Sequence, residues 1–189
     1  REKPLDLSNA TAVVTGAASG IGRALALQCA DADMAVVAVD SNEEGLSSLS
    51  QELALRDVRC WTEKVDVCDT EQVEMLARRC FESYGGAQLL FNNAGILDSS
   101  NCWECPPKRW RQMLEVNVMG VVNGIHCFIP RMIEQNCESH VVNTASIGAL
   151  FAAPTMGAYT ASKMAVRGIT ETLHYELQMM NAKIGVSLL

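Results

Sequence analysis

The sequence predicts a three-layer α/β fold, one doubly wound parallel sheet with helices on both faces. Three observations carry this. Compact apolar runs alternate with longer segments of helical period along the 189 residues. The runs are apolar at successive positions, as strands buried on both faces require. A glycine-rich turn, TGAASGIG at 15–22, joins the first run to the first helical segment.

The elements follow in order. ATAVVT (10–15) reads as a strand and IGRALALQCA (21–30) as a helix. MAVVAV (34–39) is the second strand, followed by a charged helical segment through about Arg56. VRCWTEKV (58–65) is a strand, TEQVEMLARRCFESY (70–84) a helix and AQLLF (87–91) a strand. After a loop rich in Asn, Ser, Cys and Pro, one helix starts near Lys108 and a second runs from about Val116 to Asn136. HVVNTA (140–145) is a strand, AYTASKMAVRGITETLHYELQMM (158–180) a long helix, and KIGVSLL (183–189) the last strand. Right-handed crossovers turn this order into a doubly wound sheet, with ligands expected beyond the carboxyl ends of the strands.

Composition narrows the function. The chain suits one domain with a sizeable core, and its 49% hydrophobic content with a formal charge of −7 argues against disorder. Acidic residues outnumber basic ones, 22 to 15, and the basic ones are scattered, so nucleic-acid binding is not expected. No run reaches the roughly 18 apolar residues of a membrane span. The N-terminus REKPLDLSNA lacks the apolar centre of a signal peptide, which makes a cytoplasmic location the expectation. The eight cysteines fall mostly within apolar or helical patterns. Cys102 and Cys105 form a lone CxxC in a loop, without a second ligand pair for zinc or the surroundings of a redox motif. His126, His140 and His174 have no metal-ligand spacing, and no metal site is expected.

The glycine turn is the first sign of chemistry. Gly16, Gly20 and Gly22 let backbone pass close to a pyrophosphate, and the helix N-terminus beyond Gly20 offers it free amides. No GK[ST] follows, which disfavours a nucleotide-triphosphate loop. Asp40 closes the second strand, where a carboxylate meets an adenine-ribose hydroxyl and repels an added phosphate. Ser19, Ser41 and Asn42 bring no compensating positive charge. The expected cofactor is NAD.

With these residues in register, the chain resembles the short-chain dehydrogenase/reductase family, of the NAD-dependent type with a Rossmann fold. The resemblance rests on TGAASGIG, Asp40, Asp66 in VDVCD, NNAG at 92–95, Asn117 in EVNVMG, Ser146, and YTASK at 159–163. It implies a cofactor site of Gly16, Ser19, Gly20, Ile21, Gly22, Asp40, Asp66, Val67, Asn93, Ala94 and Gly95, together with Tyr159 and Lys163. Asn92 is expected to hold neighbouring strands. Tyr159 would be the general acid/base, its free-solution pKa of about 10 lowered by the charge of Lys163 one helical turn on. Lys163 would also bind the nicotinamide ribose. Ser146 would orient the substrate oxygen, and Asn117 would anchor a water in a proton relay. Asp33 stands where the family often has glycine, so a left-handed turn is expected there.

The implied reaction moves hydride between NAD(H) and a secondary alcohol or ketone. Substrate contacts should come from Ile96–Trp103 and Ile147–Met156, and the apolar loop IGALFAAPTM suits apolar substituents. The chain ends before the proline-glycine segment, substrate lid and seventh strand that the family carries, so residues 1–189 are expected to be a C-terminally incomplete domain. The helices near 116–136 and 158–180 are long and largely apolar, and the resemblance, to a family whose members commonly pair these helices across subunits, implies a homodimer or homotetramer. Two other readings are an inactive dinucleotide-binding scaffold and a Rossmann-like methyltransferase, the latter leaving Ser146, Tyr159 and Lys163 unexplained.

Overall fold

Valine-rich segments that alternate two sets of side chains build the centre of the molecule. The computed structural model describes Leu7 and residues 10–189. The signal-peptide reading rests on a segment that lies largely outside the described residues. Among the described residues, six parallel strands form one sheet in the order β3-β2-β1-β4-β5-β6. They are β1 (Thr11–Thr15), β2 (Ala35–Asp40), β3 (Cys60–Lys64), β4 (Leu89–Asn92), β5 (Ser139–Asn143) and β6 (Ile184–Leu188).

One face presents Val13, Val37, Leu90 and Val141 to α3 (Thr70–Tyr84), α5 (Gly120–Gln135) and α6 (Gly157–Met179). The other presents Ala12, Val14, Val36, Ala38 and Phe91 towards α1 (Gly20–Asp31) and α2 (Glu43–Leu53). Adjacent residues thus serve opposite cores, which is why the strands read as unbroken apolar runs. The strand order reverses between β1 and β4, and the crevice at their carboxyl ends is where such sheets bind ligands.

Three expectations change in detail. β3 is only half-buried because it lies at the sheet edge; there Trp61 stacks on Tyr84 at 6.4 Å and Arg79 lies over Trp61 at 5.2 Å. The two helices read near 108 and 116–136 are one continuous run, α4 (Pro107–Leu114) joined to α5 through a π segment at Glu115–Met119. That run, Pro107–Gln135, is long and apolar enough to cross a membrane by length and composition, which the sequence reading did not anticipate. Half of its apolar window is buried in the fold. Asn123 within it donates to Val67 O at 2.8 Å, a tie that fixes the helix against the sheet connection.

Asp33 takes φ +58, the expected left-handed turn before β2. Phe128 of α5 is 1% exposed and packs in the α3–α5–α6 core. Phe128→Ala should cost about 3–5 kcal/mol through the cavity it leaves. Urea denaturation should show this as a lower midpoint with an unchanged slope; a loss below about 1 kcal/mol would contradict the packing described.

Candidate active site

A groove of about 1010 Å³ lies at the carboxyl ends of the strands. It is lined by every site residue read from the sequence except Gly22 and Asn117. Those two sit just behind it. A Cβ on Gly22 would collide with Gly16 O, so glycine there lets the turn fold onto itself. Gly16 has φ +67, and a Cβ on it would stand 2.7 Å from Ala94 Cα. The first turn of α1 carries no acidic residue, and the Ser19 side chain makes no cap bond. Its leading amides and the positive end of its dipole therefore face the groove. Asp40 accepts from Ala18 N at 3.0 Å and from Asn42 N at 2.9 Å, which fixes its carboxylate at the far side of the same turn. These features fit a dinucleotide: close-approaching backbone, free helix-terminal amides for pyrophosphate, and a held carboxylate for a ribose diol.

Asp66 accepts from Cys68 N at 2.9 Å, which shapes the loop after β3. Asp69 caps α3 through Glu71 N and Gln72 N. Hydrogen bonding to Gln72 holds the Asp69 carboxyl below the usual range.

One hydroxyl organises the centre of the groove floor. Thr15 Oγ1 accepts from Asn93 N and Ala94 N, both at 3.0 Å, and donates to Phe91 O at 3.2 Å. Its donor and both acceptor sites are then filled. Asn93 returns a bond from Nδ2 to Thr15 O at 3.1 Å and accepts from Thr144 Oγ1 at 3.1 Å. This spans the ends of β1, β4 and β5. Asn92 donates to Asn143 Oδ1 at 2.9 Å between β4 and β5, the strand-holding role expected of it. The sequence reading gave Thr15 and Thr144 no role. The only available signal was a threonine opening the glycine motif.

Lys163 joins this network from α6. Its amine donates to Thr144 O at 2.7 Å, and the residue is 4% exposed. Burial lowers its pKa to about 8. The amine lies 5.7 Å from the centre of the Tyr159 ring, one turn earlier on the same helix face. Ser146 and Tyr159 flank Gly148, a Cβ on which would lie 3.6 Å from both Ser146 Oγ and Tyr159 Cε1. Ser146 Oγ accepts from Gly148 N at 3.1 Å, capping a 3-10 turn at Ile147–Ala149.

Asn117 is held by protein groups. It lies in the π segment, 1% exposed, and its amide is committed to protein. Oδ1 accepts from Ile96 N at 2.8 Å, and Nδ2 donates to Ile96 O at 2.9 Å and Ser162 Oγ at 3.0 Å. Both amide hydrogens are engaged, so a water at Asn117 would donate to one of its oxygen acceptors. Ser162 in turn donates to Tyr159 O at 2.7 Å. Asn117 thus ties the loop after β4 to the helical turn that carries Tyr159 and Lys163.

On the substrate side, Ile147, Leu150 and Phe151 are exposed. Asp98 in the first loop pairs with Arg109 of α4 at 2.8 Å. None of these three apolar residues lines the groove itself, and the cation that reaches the first loop is already paired.

A parallel sheet reversing at a glycine turn, with this groove at its carboxyl edge, defines a Rossmann-type domain. The short chain dehydrogenase profile matches residues 10–188, and the chain belongs to that family. It is 35% identical over 184 residues to a 1-deoxy-11-beta-hydroxypentalenate dehydrogenase of Streptomyces exfoliatus, covering 96% of this chain and 67% of that protein. It is 35% identical over 176 residues to a 3beta-hydroxysteroid dehydrogenase 2 of Eggerthella lenta, covering 93% and 67%. A short chain dehydrogenase/reductase of Burkholderia phymatum, solved in complex with NAD, superposes with a TM-score of 0.96 at 39% identity, covering 98% and 66%. The chain thus spans about two thirds of the length of these relatives.

Thr15→Val keeps the shape of the hub side chain and removes its hydroxyl. Asn93 N, Ala94 N and Phe91 O then lose their partner, at a cost of about 2–4 kcal/mol. Thr15→Ser should retain most of the stability. Equal urea midpoints for Thr15→Val and wild type would contradict the hub.

Proposed function

We propose that this chain forms the cofactor-binding and catalytic part of an NAD-dependent oxidoreductase acting between a secondary alcohol and its ketone. The observation that carries this reading is the buried Lys163 amine beside Tyr159, with Ser146 across Gly148, at one end of the glycine-turn groove. A decorative tyrosine–lysine pair on a helix has no need of a desolvated amine.

When bound, NAD+ supplies the hydride acceptor. Gly16, Gly20, Ile21 and Ser19 would hold its pyrophosphate, and Asp40 would take the adenine-ribose diol. Asp66, Val67, Asn93, Ala94 and Gly95 line the path between the two ends. Lys163 keeps one hydrogen on Thr144 O and would offer another to the nicotinamide ribose. Tyr159, one helical turn away, would accept the alcohol proton as general base. The Ser146 hydroxyl donates to the substrate oxygen and fixes its position. Asn117 acts as a positioning residue through Ser162. The dehydrogenase names of the two relatives and the exposed apolar side chains of Ile147, Leu150 and Phe151, just after Ser146, support an alcohol with apolar substituents. The shallow apolar channel along Ile125, Ala165 and Ile169, between α5 and α6, supports a homo-oligomer.

Tyr159→Phe removes the ionisable oxygen and keeps the ring. In protein carrying the whole family domain, a screen of secondary alcohols with NAD+ should find turnover that this change lowers by about 10²–10⁴-fold. NADH affinity should stay near wild type. Full turnover in Tyr159→Phe would refute the proton-transfer role, and NADH binding without turnover in wild type would leave a scaffold instead.

Asp40→Ala should narrow the preference for NADH over NADPH by about tenfold or more, since a close like-charge repulsion of ~1–4 kcal/mol is removed. Fluorescence titration with both coenzymes checks this. Tighter wild-type binding of NADPH would contradict it.

A further inference from the structure

The oxidoreductase reading leaves Cys102 and Cys105 unused, and the sequence alone shows no surroundings that would give the pair a role. The structure supplies them. Glu104 N and Cys105 N both donate to Asn101 O, at 2.9 and 3.0 Å, so residues 101–105 make a single helical turn. Residues three apart in such a turn hold their Cβ atoms about 5–6 Å apart. A disulfide needs about 3.5–4.5 Å, a small tightening of the turn.

Both thiols are free. Cys102 is exposed and Cys105 half-buried. Burial seals the sulfur of four other cysteines: Cys29 and Cys127 are pushed up to about 11, and Cys68 and Cys80 to about 12. Such thiols stay protonated and react slowly.

Cys102 has a second engagement. Its sulfur stands against Gly157, the first residue of α6, where any Cβ would collide with it. The Trp110 ring lies against the same glycine, 3.4 Å from that Cβ position. Just upstream the loop grips Thr155. Ser100 N donates to Thr155 O at 2.8 Å, and Ser99 Oγ donates to Thr155 Oγ1 at 2.9 Å. Thr155 has φ +65, a left-handed conformation that a β-branched residue holds only under constraint. Tyr159 follows four residues later. The cysteine loop therefore clamps a strained segment at the head of the helix that carries Tyr159 and Lys163.

We propose that Cys102 and Cys105 are a redox modification site, oxidised by a small-molecule disulfide to an intramolecular disulfide that draws Cys102 off Gly157 and loosens residues 155–157. The exposed Cys102, as thiolate, attacks one sulfur of the reagent. The reagent S–S bond breaks, and its departing half takes up the proton that Cys102 released. Cys105 loses its proton and attacks the sulfur of Cys102 in the mixed disulfide, expelling the second half as a thiol. Two protein S–H bonds and one reagent S–S bond become one protein S–S bond and two reagent S–H bonds; the protein pair is oxidised by two electrons and the reagent reduced by two. Without the Cys102 contact, the constraint on Thr155 weakens and the start of α6 opens more often.

The test incubates the full chain with oxidised glutathione, quenches by alkylation and maps the peptides by mass spectrometry. A Cys102–Cys105 crosslink should be the dominant oxidised form, with no glutathione retained at either residue. Cys105→Ser should retain one glutathione on Cys102. Amide exchange at residues 155–160 should speed up by about tenfold in the oxidised protein and return on reduction with dithiothreitol. Glutathione persisting on Cys102 of the wild type, or both thiols alkylated after oxidant treatment, would overturn the site. A crosslink with unchanged exchange at 155–160 would overturn its coupling to α6.

Discussion

An ammonium group sealed under the carboxyl edge of the sheet sets the terms for the groups around it. Lys163 Nζ has lost nearly all its water, and the carbonyl of Thr144 is the protein oxygen that answers it. Desolvation favours the neutral amine and brings the pKa down from 10.5 to about 8. Between those two values the unfolded chain binds more protons than the folded one, so Lys163 makes stability rise with pH through that window. At neutral pH the buried charge costs about 3 kcal/mol. Any acceptor or negative charge brought near it recovers part of that cost. Tyr159 on the same helix and the ribose end of the groove are the positions placed to do so.

The lysine can be held this way because the strand ends beneath it are tied together. Thr144 binds Asn93, Asn93 binds Thr15, and Thr15 gathers the amides of the turn after β4. The same turn packs on Gly16, which is why a glycine there and another at 22 are steric necessities. The phosphate-facing turn and the proton-handling pair are thus two ends of one hydrogen-bonded floor. From the other side, Asn117 and Ser162 fix the helical turn that presents Tyr159 and Lys163.

Much of this was legible in the sequence because its causes are local. Successive apolar residues fed two cores, so the strands stood out; α3 falls on 70–84 in both readings because Asp69 caps it and Gly85 ends it in a left-handed turn. The glycine spacing, Asp40 and YTASK marked the groove because close backbone approach and a same-face pair each leave a fixed interval. What stayed hidden depends on distant partners. A π segment has no residue pattern, so 108–136 read as two helices. Thr15 became a hub only when β4 lay beside β1. The ties of the Asn117 amide to Ile96 and Ser162 form only once α6 and the loop after β4 lie beside it. The CxxC turn acquired a meaning once Gly157 was found against it.

The central claim is that the Lys163 amine is desolvated and tuned by the fold. An NMR titration of the lysine ε-methylene carbons, assigned through Lys163→Met, measures this directly. The account predicts a Lys163 midpoint near pH 8, well separated from the exposed lysines. A midpoint with the others, near the ordinary value of about 10.4, would contradict it.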